Sequence, residues 1–84
     1  MIKIYTVDDC PYCTTLKGYL DKDGIEYEEV NVGYEENQSE FKEVYEITKS
    51  DNVPTIKIDK QLFAPNISFQ SIKEAYQLVK KFNV

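Results

Sequence analysis

Apolar residues recur along the chain with two different periods, and the changes between the two periods predict seven elements. Alternation with a period of two predicts strands, and spacings of three and four residues predict helices. Strands are therefore predicted at residues 2–7, 25–32, 55–59 and 62–64, and helices from Pro11 to Gly24, from Asn37 to Thr48 and over about residues 69–82. The predicted order is β-α-β-α-β-β-α.

Turn and capping residues mark the ends of the predicted helices. Pro11 suits a first helical turn because its missing N–H would be unpaired there, and Gly24 suits a C-terminal stop. Asn37, with Glu40 three positions later, is typical of a capping pair. Ser68 is the predicted N-cap of the last helix. The stripe of that helix predicted to face the core is Ile72, Ala75, Tyr76, Val79 and Phe82.

The order of elements predicts a small α/β sandwich. A strand–helix–strand unit of this size favours a right-handed crossover, with the first two strands parallel. The last two strands are expected to add as an antiparallel hairpin, which gives a four-stranded mixed sheet with helices on both faces. A chain of 84 residues suits one core, so a single domain over residues 1–84 is expected.

The net charge of the chain disfavours partners that are themselves negatively charged. Ten basic residues, all of them lysine, stand against fifteen acidic residues, which gives a formal net charge of −5 at pH 7. Binding to nucleic acid or to an anionic membrane surface is therefore disfavoured. The chain contains no apolar run long enough to span a bilayer and no signal-peptide pattern. Two cysteines at this spacing suit a reducing compartment, so the cytoplasm is expected.

Both cysteines, Cys10 and Cys13, lie between the first predicted strand and the first predicted helix. A thiol at a helix N-terminus meets unpaired backbone N–H groups and the positive end of the helix dipole, and both favour its thiolate. The thiolate is the attacking species in disulfide exchange. A second thiol one turn away can then close an internal disulfide. The pair therefore predicts a dithiol redox site.

The cysteine pair allows three other interpretations. Half of a zinc site would need about four ligands, whereas the chain has no histidine and no third cysteine, so a second molecule would have to supply the others. A structural disulfide that closes so short a loop would stabilise the fold little. A pair of inert buried thiols is opposed by Tyr12, Asp8 and Asp9, which favour an exposed turn.

The chain resembles the glutaredoxin family of the thioredoxin fold at several positions. Cys10-Pro11-Tyr12-Cys13 matches the active-site tetrapeptide of that family, Lys17 matches a lysine common there, and Val53-Pro54 matches the family's Val-Pro before a strand. The order of elements agrees along the whole chain. The resemblance implies that Cys10 is the nucleophile and Cys13 the resolving cysteine, with Pro11 and Lys17 supporting the thiolate.

The resemblance also implies a glutathione groove. Tyr12 would form one wall, the backbone of Val53 would pair with the extended cysteinyl segment of glutathione, and a cis Pro54 would hold that backbone beside Cys10. Backbone N–H groups near Phe69 and Gln70, at the predicted start of the last helix after Ser68, would bind a ligand carboxylate.

Two departures from the family pattern weaken the glutathione binding expected in this groove. Val7 replaces a lysine that neutralises a glutathione carboxylate in the family, and Asp8 and Asp9 follow it. Residues 62–69 replace the family's Gly-Gly turn, and Gln70 or Ser71 replaces the acidic residue that follows that turn.

The resemblance implies a monomeric, glutathione-dependent thiol–disulfide oxidoreductase. Glutathione would be a co-substrate, and no metal or tightly bound cofactor is expected. Its clients would be disulfide-containing proteins, typically ribonucleotide reductase. The alternative is a glutaredoxin-like hydrogen donor recharged by thioredoxin reductase, which Val7 and the altered turn favour. A module that bridges an iron–sulfur cluster between two subunits is disfavoured by Pro11.

Overall fold

The computed structural model describes residues 1–82, so the last two residues of the predicted 1–84 domain lie outside it. The elements are β1 (Ile2–Thr6), α1 (Pro11–Lys22), β2 (Glu28–Asn31), α2 (Glu35–Thr48), β3 (Thr55–Ile58), β4 (Gln61–Phe63) and α3 (Ile72–Phe82). Their order is the predicted β-α-β-α-β-β-α. No helix within residues 1–82 is long and apolar enough to cross a bilayer.

The four strands form one mixed sheet in the order β2-β1-β3-β4. β1 pairs with β2 in parallel, with Ile4 opposite Glu29. β3 runs antiparallel to both of its neighbours, so that Ile56 lies opposite Ile4 on one side and Phe63 on the other. The predicted parallel first pair and antiparallel closing hairpin are both confirmed.

The sheet separates two apolar clusters, and helices cover both of its faces as predicted. Because side chains alternate across a strand, Ile4 of β1 faces α1 and α3, whereas its neighbour Tyr5 faces α2. The larger cluster contains Ile2, Ile4, Leu16, Leu20, Ile25, Ile56, Ile58, Phe69, Ala75 and Val79. The smaller cluster contains Tyr5, Val30 and Val44, with Val32, Phe41 and Leu62 packed against them.

β2 begins three residues later than the predicted 25–32 segment because the C-terminal cap of α1 takes up residues 23–25. Gly24 has a φ of +68°, and its N–H donates to the Asp21 carbonyl at 3.1 Å. The N–H of Ile25 donates to the Leu20 carbonyl at 2.9 Å, which completes a Schellman motif. Ile25 is buried in the larger cluster as part of this helix end, so the strand starts only at Glu28.

α2 begins two residues before the predicted start, and the predicted Asn37–Glu40 capping pair is wrong. The N-cap is Tyr34, whose side chain makes no capping hydrogen bond. The Asn37 amide donates to the Asn31 carbonyl at 2.8 Å, and Glu40 accepts from the Tyr5 hydroxyl at 2.7 Å. Tertiary partners therefore take both side chains away from the helix end.

α3 begins at Ile72, three residues after the predicted start, and Ser68 is not its N-cap. The Ser68 hydroxyl instead accepts from the Ala64 N–H at 3.2 Å, inside the loop that precedes the helix. Ser71 is the cap, because its hydroxyl accepts from the Glu74 N–H at 3.2 Å. The Ser-x-x-Glu pattern at residues 71–74 is the signal that identifies this start.

Candidate active site

The cysteines occupy the start of α1. Cys10 is the N-cap, with extended backbone, and Pro11 follows in the first turn. The Cys13 N–H donates to Cys10 Sγ at 3.2 Å, and the Thr14 N–H donates to the Cys10 carbonyl at 3.0 Å. The Cys10 sulfur therefore lies at the positive end of the helix, where it accepts a hydrogen bond from one of the helix's unpaired N–H groups.

Cys10 and Cys13 are joined by a disulfide, with 5.2 Å between their Cα atoms. Their surroundings differ: Cys13 is 1 % exposed within the core side of α1, whereas Cys10 is half-buried. A thiol or disulfide from outside can therefore reach the Cys10 sulfur more readily than the Cys13 sulfur. This asymmetry suits an outer attacking sulfur and an inner resolving sulfur.

A groove of about 670 Å³ begins at Tyr12, two residues from Cys10. The structure brings five predicted site residues into its walls, namely Tyr12, Val53, Pro54, Phe69 and Gln70. The Val53–Pro54 peptide bond is cis, as the resemblance implied. The other lining residues are Thr15, Asn52, Pro65, Asn66, Ser71 and Ile72. Ser68 is not among them.

No lining residue of this groove carries a charge. A larger hollow of about 1100 Å³ lies at the other end of the sheet, between Met1, Glu26 and Asp59. Neither hollow is lined by a cysteine, but the smaller groove includes Tyr12, which lies between the two cysteines in the sequence, so we take the smaller groove as the candidate substrate groove. Within residues 1–82, no three His, Cys, Asp or Glu side chains are grouped so as to hold a metal ion.

Lys17, four residues after Cys13 on α1, forms an ion pair with Glu29 of β2. Its Nζ lies 2.9 Å from Glu29 Oε2, which also accepts from the hydroxyl of the fully buried Thr6 at 2.7 Å. The hydrogen bond from Lys17, followed by the one from Thr6, lowers the pKa of Glu29. This network joins α1 to the first two strands. Support of the Cys10 thiolate by Lys17 stays a prediction, because the ammonium is engaged by Glu29.

Glu74 is a residue beside the groove that sequence reasoning missed. Its Oε1 accepts from the Gln70 N–H at 2.8 Å. Gln70 was predicted to offer this N–H to a ligand carboxylate at the start of the last helix. That expectation is corrected: the helix starts later, and the protein's own carboxylate binds the Gln70 N–H. The Ser-x-x-Glu pattern at residues 71–74 was the available signal.

The class of protein follows from the chemistry that this cysteine pair allows. A chain whose accessible and buried sulfurs form a disulfide on this sheet is a thiol–disulfide oxidoreductase of the thioredoxin fold. The glutaredoxin family model matches residues 2–63, and the chain belongs to the glutaredoxin family. The matched segment contains both cysteines and all four strands, and it ends just before the loop that leads to α3.

Individual relatives agree with this assignment. An uncharacterised glutaredoxin-like 8.6 kDa protein in the rubredoxin operon of Clostridium pasteurianum is 39% identical over 59 residues, which cover 70% of this chain and 76% of the relative. Glutaredoxin 1 of Rickettsia bellii is 34% identical over 80 residues, which cover 95% of this chain and 78% of the relative. The crystal structure of the thioredoxin-like protein BC3987 superposes with a TM-score of 0.71 at 31% identity, covering 93% of this chain and 99% of that one.

Proposed function

We propose that the Cys10–Cys13 dithiol reduces protein disulfides and glutathione mixed disulfides, and that glutathione returns the protein to its reduced form. The observation that carries this proposal is the asymmetry of the pair. The accessible Cys10 sulfur lies at the start of α1, its disulfide partner Cys13 is buried, and Tyr12 between them in the sequence lines the groove.

The reaction consists of two exchanges in the reduced protein. The Cys10 thiolate attacks a client disulfide, so that one client sulfur leaves as a thiolate and the other becomes bonded to Cys10. The Cys13 thiol then loses its proton and attacks the Cys10 sulfur. The second client sulfur leaves and takes up a proton. The client gains two electrons, and the protein holds the Cys10–Cys13 disulfide.

Two glutathione molecules reverse this state. The first attacks the Cys10 sulfur and releases Cys13, and the second attacks the resulting mixed disulfide and leaves as glutathione disulfide. The groove beside Tyr12 gives the cysteinyl segment a place to lie. Its backbone would pair with the backbone of Val53, in the manner of a strand added to a sheet edge.

A second candidate has the same dithiol recharged by thioredoxin reductase. Two features of the groove favour it: none of the lining residues carries a positive charge for the glutathione carboxylates, and Glu74 already engages the Gln70 N–H.

A coupled NADPH assay distinguishes the two electron sources. One reaction contains glutathione, glutathione reductase and a mixed disulfide of glutathione, and the other contains thioredoxin reductase and insulin. NADPH consumption in the first reaction supports glutathione as the reductant, and consumption only in the second supports thioredoxin reductase. The Cys10→Ser variant is the control in both. Activity in neither reaction, from folded protein with free thiols, contradicts the proposed function.

A further inference from the structure

The start of α3 holds one fixed negative charge at the wall of an otherwise uncharged groove. Glu74 Oε1 accepts from the N–H of Gln70 at 2.8 Å, and the Glu74 N–H donates to the Ser71 hydroxyl at 3.2 Å. Gln70 and Ser71 both line the groove. The side chain and the backbone of Glu74 are therefore each tied to a residue of the groove wall, which limits how far the carboxylate can swing into solvent.

This charge has no counter-ion among the described residues. The ion pairs within residues 1–82 join other acids, namely Asp59, Glu28, Glu40 and Glu29, to their partners. Asp8 and Asp9, which directly precede Cys10, are exposed acidic residues, and neither of them lines the groove. A ligand in the groove therefore lies near the Glu74 carboxylate, with no cation in the lining to offset that charge.

A charged residue next to the reacting cysteine of a ligand in the groove therefore interacts electrostatically with the Glu74 carboxylate. Two unit charges interact with an energy that falls with distance and with the effective dielectric constant. For charges about 10 Å apart and an effective dielectric constant of about 50, the interaction changes a rate about threefold at low ionic strength.

We propose that Glu74 is a specificity-determining residue, and that its carboxylate makes the groove favour cysteinyl segments with neutral or basic flanks over segments with acidic flanks. This inference rests on the proposed function, because it concerns ligands that exchange with Cys10. It extends that function by naming the substrate class, which is a disulfide whose neighbouring residues are uncharged or positively charged.

Three capped peptides of matched size test the proposal, namely Ac-Glu-Cys-Glu-NH2, Ac-Gln-Cys-Gln-NH2 and Ac-Lys-Cys-Lys-NH2. Each is mixed in excess with the oxidised protein at low salt, samples are quenched in acid and alkylated, and mass spectrometry gives the rate of Cys10–Cys13 reduction. The intrinsic reactivity of each peptide cancels when a variant is compared with the wild type.

Glu74→Gln is the informative variant, because an amide also accepts the hydrogen bond from Gln70 while the charge is lost. Its rate should rise about threefold with the Glu peptide and fall about threefold with the Lys peptide, so that the Lys-to-Glu ratio falls about tenfold. Glu26→Gln is the matched control: it removes one charge from an exposed residue at the far hollow and should leave the ratio unchanged.

Ser71→Ala separates the charge from the helix cap. It weakens the same helix start but retains the carboxylate, so its ratio should stay within about twofold of the wild type. A fall in Ser71→Ala as large as in Glu74→Gln would show that the helix start, and not the charge, sets the selectivity, which overturns the proposal. An unchanged ratio in Glu74→Gln, with all peptides active, overturns it also. Glutathione in a parallel reaction separates the two failures: if it reduces the wild-type disulfide and no peptide does, the inference is overturned, and if glutathione fails as well, glutathione is not the reductant and the proposed function is contradicted.

Discussion

The hydroxyl of Tyr5 joins the sheet to α2 and offers a quantitative test of the fold. Tyr5 is fully buried, and its hydroxyl donates to Glu40 Oε2 at 2.7 Å. Lys3 Nζ lies 3.1 Å from the same oxygen, and the Glu40 side chain is 36% exposed. Removing either partner breaks the same hydrogen bond, but the group left behind differs in its access to water.

Tyr5→Phe leaves a carboxylate that keeps Lys3 and can be solvated, so we expect it to lower the free energy of unfolding by about 1–1.5 kcal/mol. Glu40→Ala leaves a buried hydroxyl without its acceptor, so we expect a larger loss of about 2–3 kcal/mol. The double variant leaves no buried hydroxyl without a hydrogen-bond acceptor. Its loss should therefore fall below the sum of the single losses by about 1 kcal/mol or more.

Urea unfolding of the oxidised proteins, followed by circular dichroism, measures these values. Hydrogen bonding from Tyr5 is the main cause that lowers the pKa of Glu40 in the folded state. A lowered folded pKa means that this stabilisation is present above the unfolded pKa, near 4.5, and is lost as the pH falls through the folded pKa. The difference between wild type and Tyr5→Phe should therefore shrink in acid. A loss in Glu40→Ala smaller than in Tyr5→Phe, or additive losses, would refute this reasoning.

Three further predictions concern the dithiol and the core beneath it. In the reduced protein near neutral pH, iodoacetamide should alkylate Cys10 at least about tenfold faster than the buried Cys13, as measured by peptide mass spectrometry; equal rates would contradict the assignment. Cys13→Ser should lose reduction of insulin but retain release of glutathione from mixed disulfides, whereas loss of both, with activity kept in Cys10→Ser, would reverse the two roles. Leu16→Ala, at a fully buried position of α1, should lower the free energy of unfolding by about 2–5 kcal/mol in urea titrations, and a loss below about 1 kcal/mol would place Leu16 outside the core.

The order and pairing of the strands could be predicted because they follow from local periodicity and from the short connections between elements. Ile2, Ile4, Ile56 and Ile58 alternate with polar residues, and this alternation alone places them on one face. The start of α2 could not be read in the same way. Its apparent capping residue, Asn37, bonds to Asn31, a contact that depends on how α2 meets the end of β2.

In the candidate site, too, the features set by local sequence could be predicted, and those set by tertiary contacts could not. The position of Cys10 at the start of a helix follows from the strand before it and from Pro11 after it, and both signals are local. The choice between Ser68 and Ser71 as a cap turns on the loop between β4 and α3, where Ser68 bonds to Ala64. Because Ser68 is the predicted cap instead of Ser71, the position of Glu74 beside the groove could not be predicted.

The two faces of the sheet contribute unequally to its stability, and this has a consequence for how the molecule opens. Among residues 1–82, the apolar cluster between the sheet and helices α1 and α3 contains ten buried residues, whereas the apolar cluster on the α2 side contains three. Local unfolding should therefore release α2 at a lower free energy than α1, and backbone amides of α2 should exchange with deuterium first. The cysteines are held by the slower-opening half. Substitutions on α2 can thus change the rate at which a protease cleaves the chain while α1 and the two cysteines remain folded.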